Sequence, residues 1–449
     1  MDNIAIEDVE GKKGISIRGL SKPSIASNKK IKIFWYSDFL INTGFGNVAQ
    51  EIVKRLQKTG KYEFIVLGIN HNGNPYNYKT NEFFEFKDIP VFPAADETGL
   101  FGFQKFANIL AEHEPDLVFV MQDTFNMARL KGVFKAARKQ QKPFKYIFYY
   151  PVDGLLKKDW VDNAVAVADY PVAYNKFGIK ATLAQRPTVP NLIDIPHGVD
   201  AEVFKPFAEE KFRQTFRTNF FKRPEGNKQI DENTFIITNV NRNQPRKDVT
   251  RTILAYAEFY KRYPEIDSML YMHMHCKDGA GFDLETFTKL NIPKEVWGRI
   301  SYPNEDIFKR FGYPKNVLAK IYAASDIVTS TTLGEGFGLS TVEAMACGTP
   351  VVMPKHTANF ELIGENEERG YLVDCGKETI VMKYDNEQLR PVTDIDSMVN
   401  QWKRVYDNYE EAEQKSVEAY KWVQGHTWDD IAKQWDELFQ RAYSDLLKA

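Results

Sequence analysis

The sequence has few cysteines, almost no net charge and no long apolar run. Its three cysteines (Cys276, Cys347 and Cys375) are too few and too scattered for a disulfide framework, so we expect a reducing, cytoplasmic location. The 59 Lys and Arg residues nearly balance the 61 Asp and Glu residues, and a net charge of -2 supplies no general field for holding a polyanion. No window approaches the roughly 18 apolar residues of a membrane-spanning helix, and the first residues, MDNIAIEDVEGKKG, do not resemble a signal peptide. Peripheral membrane contact stays open.

Short apolar segments alternate with helical patterns along most of the chain. The first pair is IKIFWYS (31–37), followed by a glycine-containing turn and the helical pattern VAQEIVKRLQKTG. The alternation pauses around 197–233 and restarts with TFIITNVNR (234–242). Such alternation is typical of parallel sheets with helices on both faces. We therefore predict an α/β chain of two Rossmann-like, doubly wound domains that face a cleft, with ligands beyond the carboxyl ends of the strands.

The same pattern divides the chain into four segments. Residues 1–29 lack aromatic residues and are interpreted as an N-terminal tail. The first domain is predicted over 30–205 and the second over 206–425. The last segment, 426–449, contains one amphipathic helix that we expect Thr427 to cap.

The stretch DIVTSTTLGEGFGLSTVEAMACGTPVVMP (326–354) carries the most information about chemistry. A strand ends there in a glycine-flanked loop, and a helix follows. Gly336 and Gly338 allow the backbone to approach a ligand closely, and the free N–H groups at the helix start suit a phosphate. Glu335 and Glu343 are hydrogen-bond acceptors that suit the hydroxyls of a sugar and a ribose. The alternative is two exposed glutamates, with glycines that serve only the turn.

This stretch resembles the signature of glycosyltransferase family 4, which consists of retaining enzymes with two Rossmann domains (GT-B type). The family's hallmark is a pair of glutamates separated by seven residues. Three further segments are similar to family elements. PHGVDAEVFKP (196–206) resembles the segment near the hinge, and NVNRNQPRKDV (239–249) resembles the loop that holds the donor pyrophosphate. HTWDDIAKQWDELF (426–439) resembles the closing helix that crosses back onto the first domain.

The resemblance implies roles for individual residues. Glu335 would contact the hydroxyls of the donor sugar, and Glu343 would contact the ribose of the nucleotide. Arg242 and Lys247 would hold the pyrophosphate, where fixed cations stabilise the charge that develops on the leaving group. A solvated basic turn at Arg246 and Lys247 is the alternative. The other residues expected to bind the donor are Gly336, Phe337, Gly338, Leu339 and Ser340.

Two positions in the first domain are candidates on weaker patterns. Gly44 and Gly46 belong to a glycine-rich turn that opens a helix and could receive phosphate or the acceptor, although such turns are also common without a ligand. In YYPVDG (149–154) many relatives carry a His near the reacting centre, but this chain has Val152 and Asp153, so that role does not carry over. Asp153 is a candidate for an acceptor contact or an electrostatic partner; a turn-forming Asp-Gly is the alternative.

Three other features have ordinary structural explanations. The HMHC run (273–276) has no fourth ligand nearby and does not indicate a metal site. Asp394-Ile395-Asp396 precedes a helical segment, so an N-cap is favoured over a metal motif. The basic and aromatic stretch 211–223 is typical of a docked amphipathic helix, although a nucleic-acid or membrane surface stays open.

Taken with the resemblance, these residues predict transfer of a sugar from a nucleoside-diphosphate donor, with UDP favoured. The first domain would bind the acceptor and the second the donor. The resemblance implies retention of configuration and no obligate metal, and the only small molecule required besides the acceptor is the donor, a substrate and not a cofactor. The acceptor could be a glycan, a lipid, a protein or a nucleic-acid base. Two alternatives are a glycosyltransferase that modifies hydroxylated DNA bases and a catalytically silent protein that binds sugar nucleotides.

Overall fold

The first half of the chain forms a seven-stranded parallel sheet. The structure is a computed structural model that describes residues 29–73, 84–97, 99–140, 142–224, 228–382 and 387–448. The strands of this sheet, in the spatial order β3-β2-β1-β4-β5-β6-β7, are β1 (Ile31–Asp38), β2 (Tyr62–Ile69), β3 (Val91–Pro93), β4 (Leu117–Met121), β5 (Lys145–Tyr150), β6 (Tyr170–Ala173) and β7 (Ile193–Asp194).

Helices cover both faces of the first sheet, because its strands are apolar on both sides. In β1, Ile33 and Trp35 belong to one buried cluster, whereas Phe34 and Tyr36 belong to another on the opposite face. The Trp35 ring stacks on Phe119 of β4 with centroids 3.8 Å apart. The helices of this half are α1 (Gly44–Lys58), α2 (Phe103–His113), α3 (Thr124–Met127), α4 (Lys131–Gln140), α5 (Lys158–Asn163) and α6 (Lys176–Gln185).

The second half forms a six-stranded parallel sheet and a separate hairpin. The sheet contains, in the order β10-β9-β8-β11-β12-β13, the strands β8 (Phe235–Val240), β9 (Ser268–His273), β10 (Ile300–Ser301), β11 (Ile327–Thr329), β12 (Val351–Pro354) and β13 (Tyr371–Val373). The antiparallel hairpin consists of β14 (Cys375–Ile380) and β15 (Arg390–Thr393). The helices of this half are α7 (Glu210–Phe220), α8 (Val249–Arg262), α9 (Leu284–Asn291), α10 (Lys294–Trp297), α11 (Glu305–Phe311), α12 (Lys315–Ala324), α13 (Leu339–Ala346), α14 (Thr357–Ile363), α15 (Ile395–Asp407) and α16 (Tyr409–Gln424).

Both sheets have the same strand order, and that order determines where ligands bind. In each sheet the first strand lies between its second and fourth, so the order reverses between β1 and β4 and again between β8 and β11. Doubly wound sheets bind ligands outside the carboxyl ends of the strands at such a reversal. The predicted fold class, two Rossmann-like domains, is confirmed.

The last helix, α17 (Trp428–Leu447), packs on the first sheet. Its Asp436 accepts from Lys61 Nζ at 2.6 Å and from Tyr62 Oη at 2.6 Å. The ring of Trp435 meets the edge of Phe119 with centroids 5.2 Å apart. As predicted, Thr427 caps this helix, since its side chain accepts from Asp430 N.

The ordinary explanations of the other sequence features agree with the structure. Asp394 Oδ1 accepts from Ser397 N at 2.8 Å and so caps α15. Within 211–223, α7 is docked: Phe216 and Phe220 stack on each other, and Arg217 is buried against Asp326.

The described residues lack two features, a cluster of metal ligands and a membrane-spanning helix. They contain no group of three or more His, Cys, Asp or Glu side chains placed to hold a metal ion. No helix in the same part of the chain has the length and apolar character needed to cross a membrane.

Candidate functional site

The loop between β11 and α13 lies at the strand reversal of the second sheet, pressed against the first domain. Gly334 and Gly336 are needed for this close approach. A Cβ on Gly334 would clash with the Asp153 carbonyl oxygen, and one on Gly336 would lie 2.9 Å from Pro151 Cβ. Gly338 has φ +97°, a left-handed conformation that glycine adopts without strain, and it precedes the first residue of α13.

Glu335 and Lys247 form an ion pair at the start of this loop. Lys247 Nζ lies 2.5 Å from Glu335 Oε1, and their side chains are only 14% and 13% exposed. Burial raises the pKa of Glu335, but Lys247 and Arg246 lower it by more than burial raises it, so the net change is downward. Burial lowers the pKa of Lys247, against the opposing effect of Glu335. The turn at Arg246 and Lys247 is therefore not a solvated basic turn.

Glu343 lies on α13, in the second turn of this helix. Its Oε2 accepts from Tyr322 Oη at 2.9 Å, and no group in the described ranges donates to its Oε1. Burial raises the pKa of Glu343 to about 7, although Tyr322 and Lys315 act in the opposite direction. The side chain thus presents a carboxyl oxygen that the fold does not use.

The two predicted cations of the pyrophosphate loop, Arg242 and Lys247, pair with different carboxylates. Arg242 is 62% exposed, and its Nε lies 3.5 Å from Asp278 Oδ2. Arg246 occupies the place beside Lys247 instead: it donates to the carbonyl oxygen of Gly334 and lies 3.3 Å from Asp153 Oδ2. The role of Arg242 toward a diphosphate stays a prediction, and Arg246 joins the loop to the first domain.

Asp153 connects the two domains through two arginines. Besides Arg246, it meets Arg390 of β15, whose Nη2 lies 3.2 Å from Asp153 Oδ1 and whose Nη1 donates to the Asp153 carbonyl oxygen. Burial raises the pKa of Asp153, but Arg246 and Arg390 outweigh it and the net change is downward. Of the two roles predicted for Asp153, the structure supplies the contacts of an electrostatic partner.

Gly44 and Gly46 open α1 at the edge of the cleft but differ in their surroundings. A Cβ on Gly44 would lie 4.0 Å from Leu339 Cδ1, so this glycine faces the donor loop. A Cβ on Gly46 would clash with the carbonyl oxygen of Ile41, and Gly46 N donates to Thr43 Oγ1 at 3.0 Å. Gly46 is thus required by the turn itself.

Asp123 and Asp38 lie in this cleft although the sequence motifs do not include them. Asp123 follows β4 and occupies the N-cap position of α3, yet its side chain makes no capping hydrogen bond. Burial raises the pKa of Asp123 to about 7, with a further increase from Asp153 and Asp38 that Arg246 opposes. Asp38, the last residue of β1, accepts from Thr43 Oγ1 at 2.6 Å and from an Asn70 amide at 3.1 Å. The sequence could have indicated Asp38 and Asp123, because each is an Asp at the end of an apolar strand segment, IKIFWYSD and DLVFVMQD.

Comparison with known sequences identifies similar proteins. Residues 298–383 match the family model for glycosyl transferases group 1. D-inositol 3-phosphate glycosyltransferase of Corynebacterium jeikeium is 31% identical over 180 residues, which cover 40% of this chain and 39% of that protein. The enzyme of the same name from Segniliparus rotundus is 28% identical over 190 residues, 41% of this chain and 36% of that one. The matched part of the chain thus spans less than half the length of these curated relatives.

Solved structures match nearly the whole chain. Sucrose-phosphate synthase (tll1590) from Thermosynechococcus elongatus superposes with a TM-score of 0.67 at 16% identity, over 93% of this chain and all of that one. Anabaena Alr3699/HepE, in complex with UDP and glucose, has a TM-score of 0.64 at 17% identity, over 92% of this chain and 100% of that one. The fold is that of the GT-B glycosyltransferases. The resemblance seen in the sequence is confirmed at this level.

Two buried polar groups in the GT-B cleft have no hydrogen-bond partner in the described part of the chain. Tyr174, directly after β6, is 2% exposed and its hydroxyl is unpartnered. Asn359 on α14 is fully buried below Gly338, and its Nδ2 is also unpartnered. Between them, Asn175 Nδ2 donates to Gly336 O at 2.7 Å. Buried polar groups are rarely left unpaired, so the described contacts do not account for these two groups.

Proposed function

We propose that this chain transfers a sugar from a nucleoside-diphosphate donor, with UDP favoured, to a hydroxyl of an acceptor. The observation that carries the proposal is the Lys247–Glu335 ion pair, nearly buried beside the glycine loop of the second sheet. A buried ion pair adds little net stability, because both charges lose their hydration. The ion pair is better explained by function: Lys247 would supply a cation for the diphosphate, and Glu335 would supply a carboxylate for the sugar hydroxyls.

Each part of the donor has a candidate partner. We assign the sugar hydroxyls to Glu335 and the ribose to Glu343, whose Oε1 is not used by the fold. The diphosphate would lie between Lys247 and the start of α13, where the first N–H groups of the helix are free. Arg242, which is exposed beside Asp278, would turn toward the diphosphate on binding. The residues assigned to backbone and packing contacts with the donor are Gly336, Phe337, Gly338, Leu339 and Ser340.

The proposed reaction breaks the bond between the anomeric carbon and the β-phosphate oxygen. The electron pair stays on the departing diphosphate, and the acceptor oxygen forms the new bond to carbon on the same face, which gives retention. The acceptor proton passes to a leaving phosphate oxygen. Lys247 and Arg242 would stabilise the growing negative charge, a contribution that preorganised groups make without reorganisation. Neither a cofactor nor an obligate metal is part of this proposal.

The basic stretch 211–223 gives little support to the alternative of DNA modification. Arg217 is buried and paired with Asp326, and Arg223 is buried and paired with Asp267. Arg213 also lies 2.8 Å from Asp326. Three of its cations are therefore used inside the fold and are poorly available to phosphates of a duplex.

The test combines a donor panel with one matched pair of variants. UDP-, GDP- and ADP-glucose are incubated with the protein, and released nucleoside diphosphate is measured. Glu335→Gln keeps an acceptor for Lys247 but removes the charge, so we expect hydrolysis to fall by about 10²–10³ with UDP affinity nearly unchanged. Glu202→Gln, at a highly exposed position, is the control. Hydrolysis of no donor, or equal rates in Glu335→Gln and the parent protein, would refute the proposal.

A further inference from the structure

Three carboxylates lie at the strand ends of the first domain, opposite the donor loop. Asp38 ends β1, Asp123 follows β4 and Asp153 follows β5. Asp153 is compensated by two arginines, at 3.3 and 3.2 Å. Asp38 and Asp123 form no ion pair with any residue in the described ranges. Within these ranges, neither Asp38 nor Asp123 therefore has an ion-pairing cation of its own.

The fold does not use the carboxylate of Asp123. An Asp at an N-cap normally accepts from a backbone N–H of the first helical turn. At the start of α3 the side chain of Asp123 makes no such bond. The backbone N–H of Asp123 donates to Gln122 Oε1 at 2.8 Å, which leaves the carboxylate uninvolved. Both oxygens of Asp123 are thus free to accept hydrogen bonds from a ligand.

Tyr174 provides a second, independent indication of a ligand at the same place. Its hydroxyl is buried and has no partner in the described part of the chain. Burial raises the pKa of Tyr174, and Tyr149, Asp123 and Asp38 add to this increase, so both carboxylates act on its hydroxyl. The ring edge also approaches the donor loop, since a Cβ on Gly336 would lie 3.8 Å from Tyr174 Cδ2.

We infer that the acceptor enters between Asp38, Asp123 and Tyr174 through an uncharged polyhydroxyl group, and that a phosphate on this group weakens binding. Hydroxyls donate to carboxylates, which can only accept. A phosphate there would meet two carboxylates, and Arg246, the cation that acts on Asp123, is already paired with Asp153. Such like-charge contacts disfavour a charged ligand. This inference rests on the proposed glycosyl transfer and differs from the phosphorylated acceptor in the names of the D-inositol 3-phosphate glycosyltransferases.

The first test compares acceptors that differ only by a phosphate. With the sugar nucleotide hydrolysed fastest in the donor panel, kcat/KM is measured for glucose against glucose 6-phosphate and for myo-inositol against inositol 1-phosphate. We expect the uncharged member of at least one pair to be preferred by tenfold or more. Preference for the phosphorylated member, a smaller ratio in both pairs, or no transfer to any of the four would overturn the inference.

The second test reverses the charge at the centre of the subsite. Asp123→Lys should shift the ratio of kcat/KM at least tenfold toward the phosphorylated member, and Asp123→Asn should raise the acceptor KM at least tenfold. Asp88→Asn, at an exposed position before the edge strand β3, is the matched control. A purely structural role of Asp123 would leave the ratio unchanged and so contradict the inference. UDP binding, measured by calorimetry, separates the two proposals. If the parent protein does not bind UDP, the proposed function is wrong. If it binds UDP but Asp123→Lys leaves the ratio of kcat/KM values unchanged, only the acceptor subsite is wrong.

Discussion

At the scale of single residues, Glu343 has an environment that favours its uncharged form. The pKa of this carboxyl is raised by burial to about 7, from an ordinary value of 4.5. The folded state then holds a proton that the unfolded state releases, so this group lowers stability as the pH rises from about 4.5 to 7. Such strain is common where a site must leave a carboxylate ready for a ligand.

We expect Glu343→Gln to stabilise the protein at pH 8 and to leave it nearly unchanged at pH 4. The glutamine amide oxygen still accepts from Tyr322 Oη, which lies 2.9 Å from Glu343 Oε2, while the buried charge is removed. The gain should not exceed roughly 3 kcal/mol, and UDP affinity should fall because the ribose contact weakens. Thermal unfolding of both proteins at the two pH values measures this effect. A melting-temperature difference that does not grow with pH would contradict it.

The residues of the proposed donor site could be identified from the sequence, whereas those of the proposed acceptor subsite could not. Glu335, Lys247 and Glu343 belong to local motifs, so their spacing along the chain pointed to them. Asp123 and Tyr174 belong to no motif. They lie in the cleft only because β4 and β6 end beside the donor loop, which is a tertiary arrangement. The orientation of Arg242 toward Asp278 depends on a neighbouring loop in the same way.

At the scale of elements, the predicted helices and strands agree best with the observed ones where the apolar pattern in the sequence is long. The pattern of KNVLAKIYAA predicts a helix over 315–324, and the structure has a helix over the same residues because the pattern spans several turns. The apolar run NLIDIP predicts a strand over 191–196, but the strand is observed only over Ile193–Asp194, since β7 is an edge strand that ends where its partner β6 ends. The hairpin of β14 and β15 was missed because β14 is exposed along nearly its whole length and so lacks an apolar pattern.

The glycine loop before α13 is the element most sensitive to a single methyl group. Gly334→Ala would drive a Cβ into the Asp153 carbonyl oxygen, a backbone atom that cannot move without shifting the first domain. We expect a loss of at least 1 kcal/mol in the free energy of unfolding, roughly the cost of overpacking. Gly132→Ala is the control: it lies in α4 with open space around its Cβ and should gain about 0.5 kcal/mol. Urea unfolding of both variants measures the difference, and equal midpoints would show that the loop tolerates separation from the first domain.

At the scale of the whole molecule, charged contacts join the domains on the two sides of the cleft. Lys315 of the second domain lies 2.9 Å from Glu51 of α1. On the other side, Asp153 of the first domain binds Arg246 and Arg390 of the second. Closure of a domain cleft over a donor excludes water that would otherwise hydrolyse it. These contacts therefore connect the electrostatics of the cleft to the relative position of the domains.

Asp153→Asn tests this connection, because it removes the one carboxylate that both arginines share. The substitution is nearly isosteric, so the packing of Gly334 against the Asp153 backbone is retained while the attraction is lost. The carboxylate is 31% exposed, so solvent screens part of the effect, and we expect a loss of about 1.5 kcal/mol in stability.

Domain opening should follow, seen as a larger radius of gyration in small-angle X-ray scattering and as faster donor hydrolysis relative to transfer. Asp159→Asn, on the exposed side of α5, is the control and should change neither quantity. An unchanged radius of gyration together with an unchanged ratio of hydrolysis to transfer would show that Asp153 does not hold the domains together, and that the close packing of the glycine loop is sufficient.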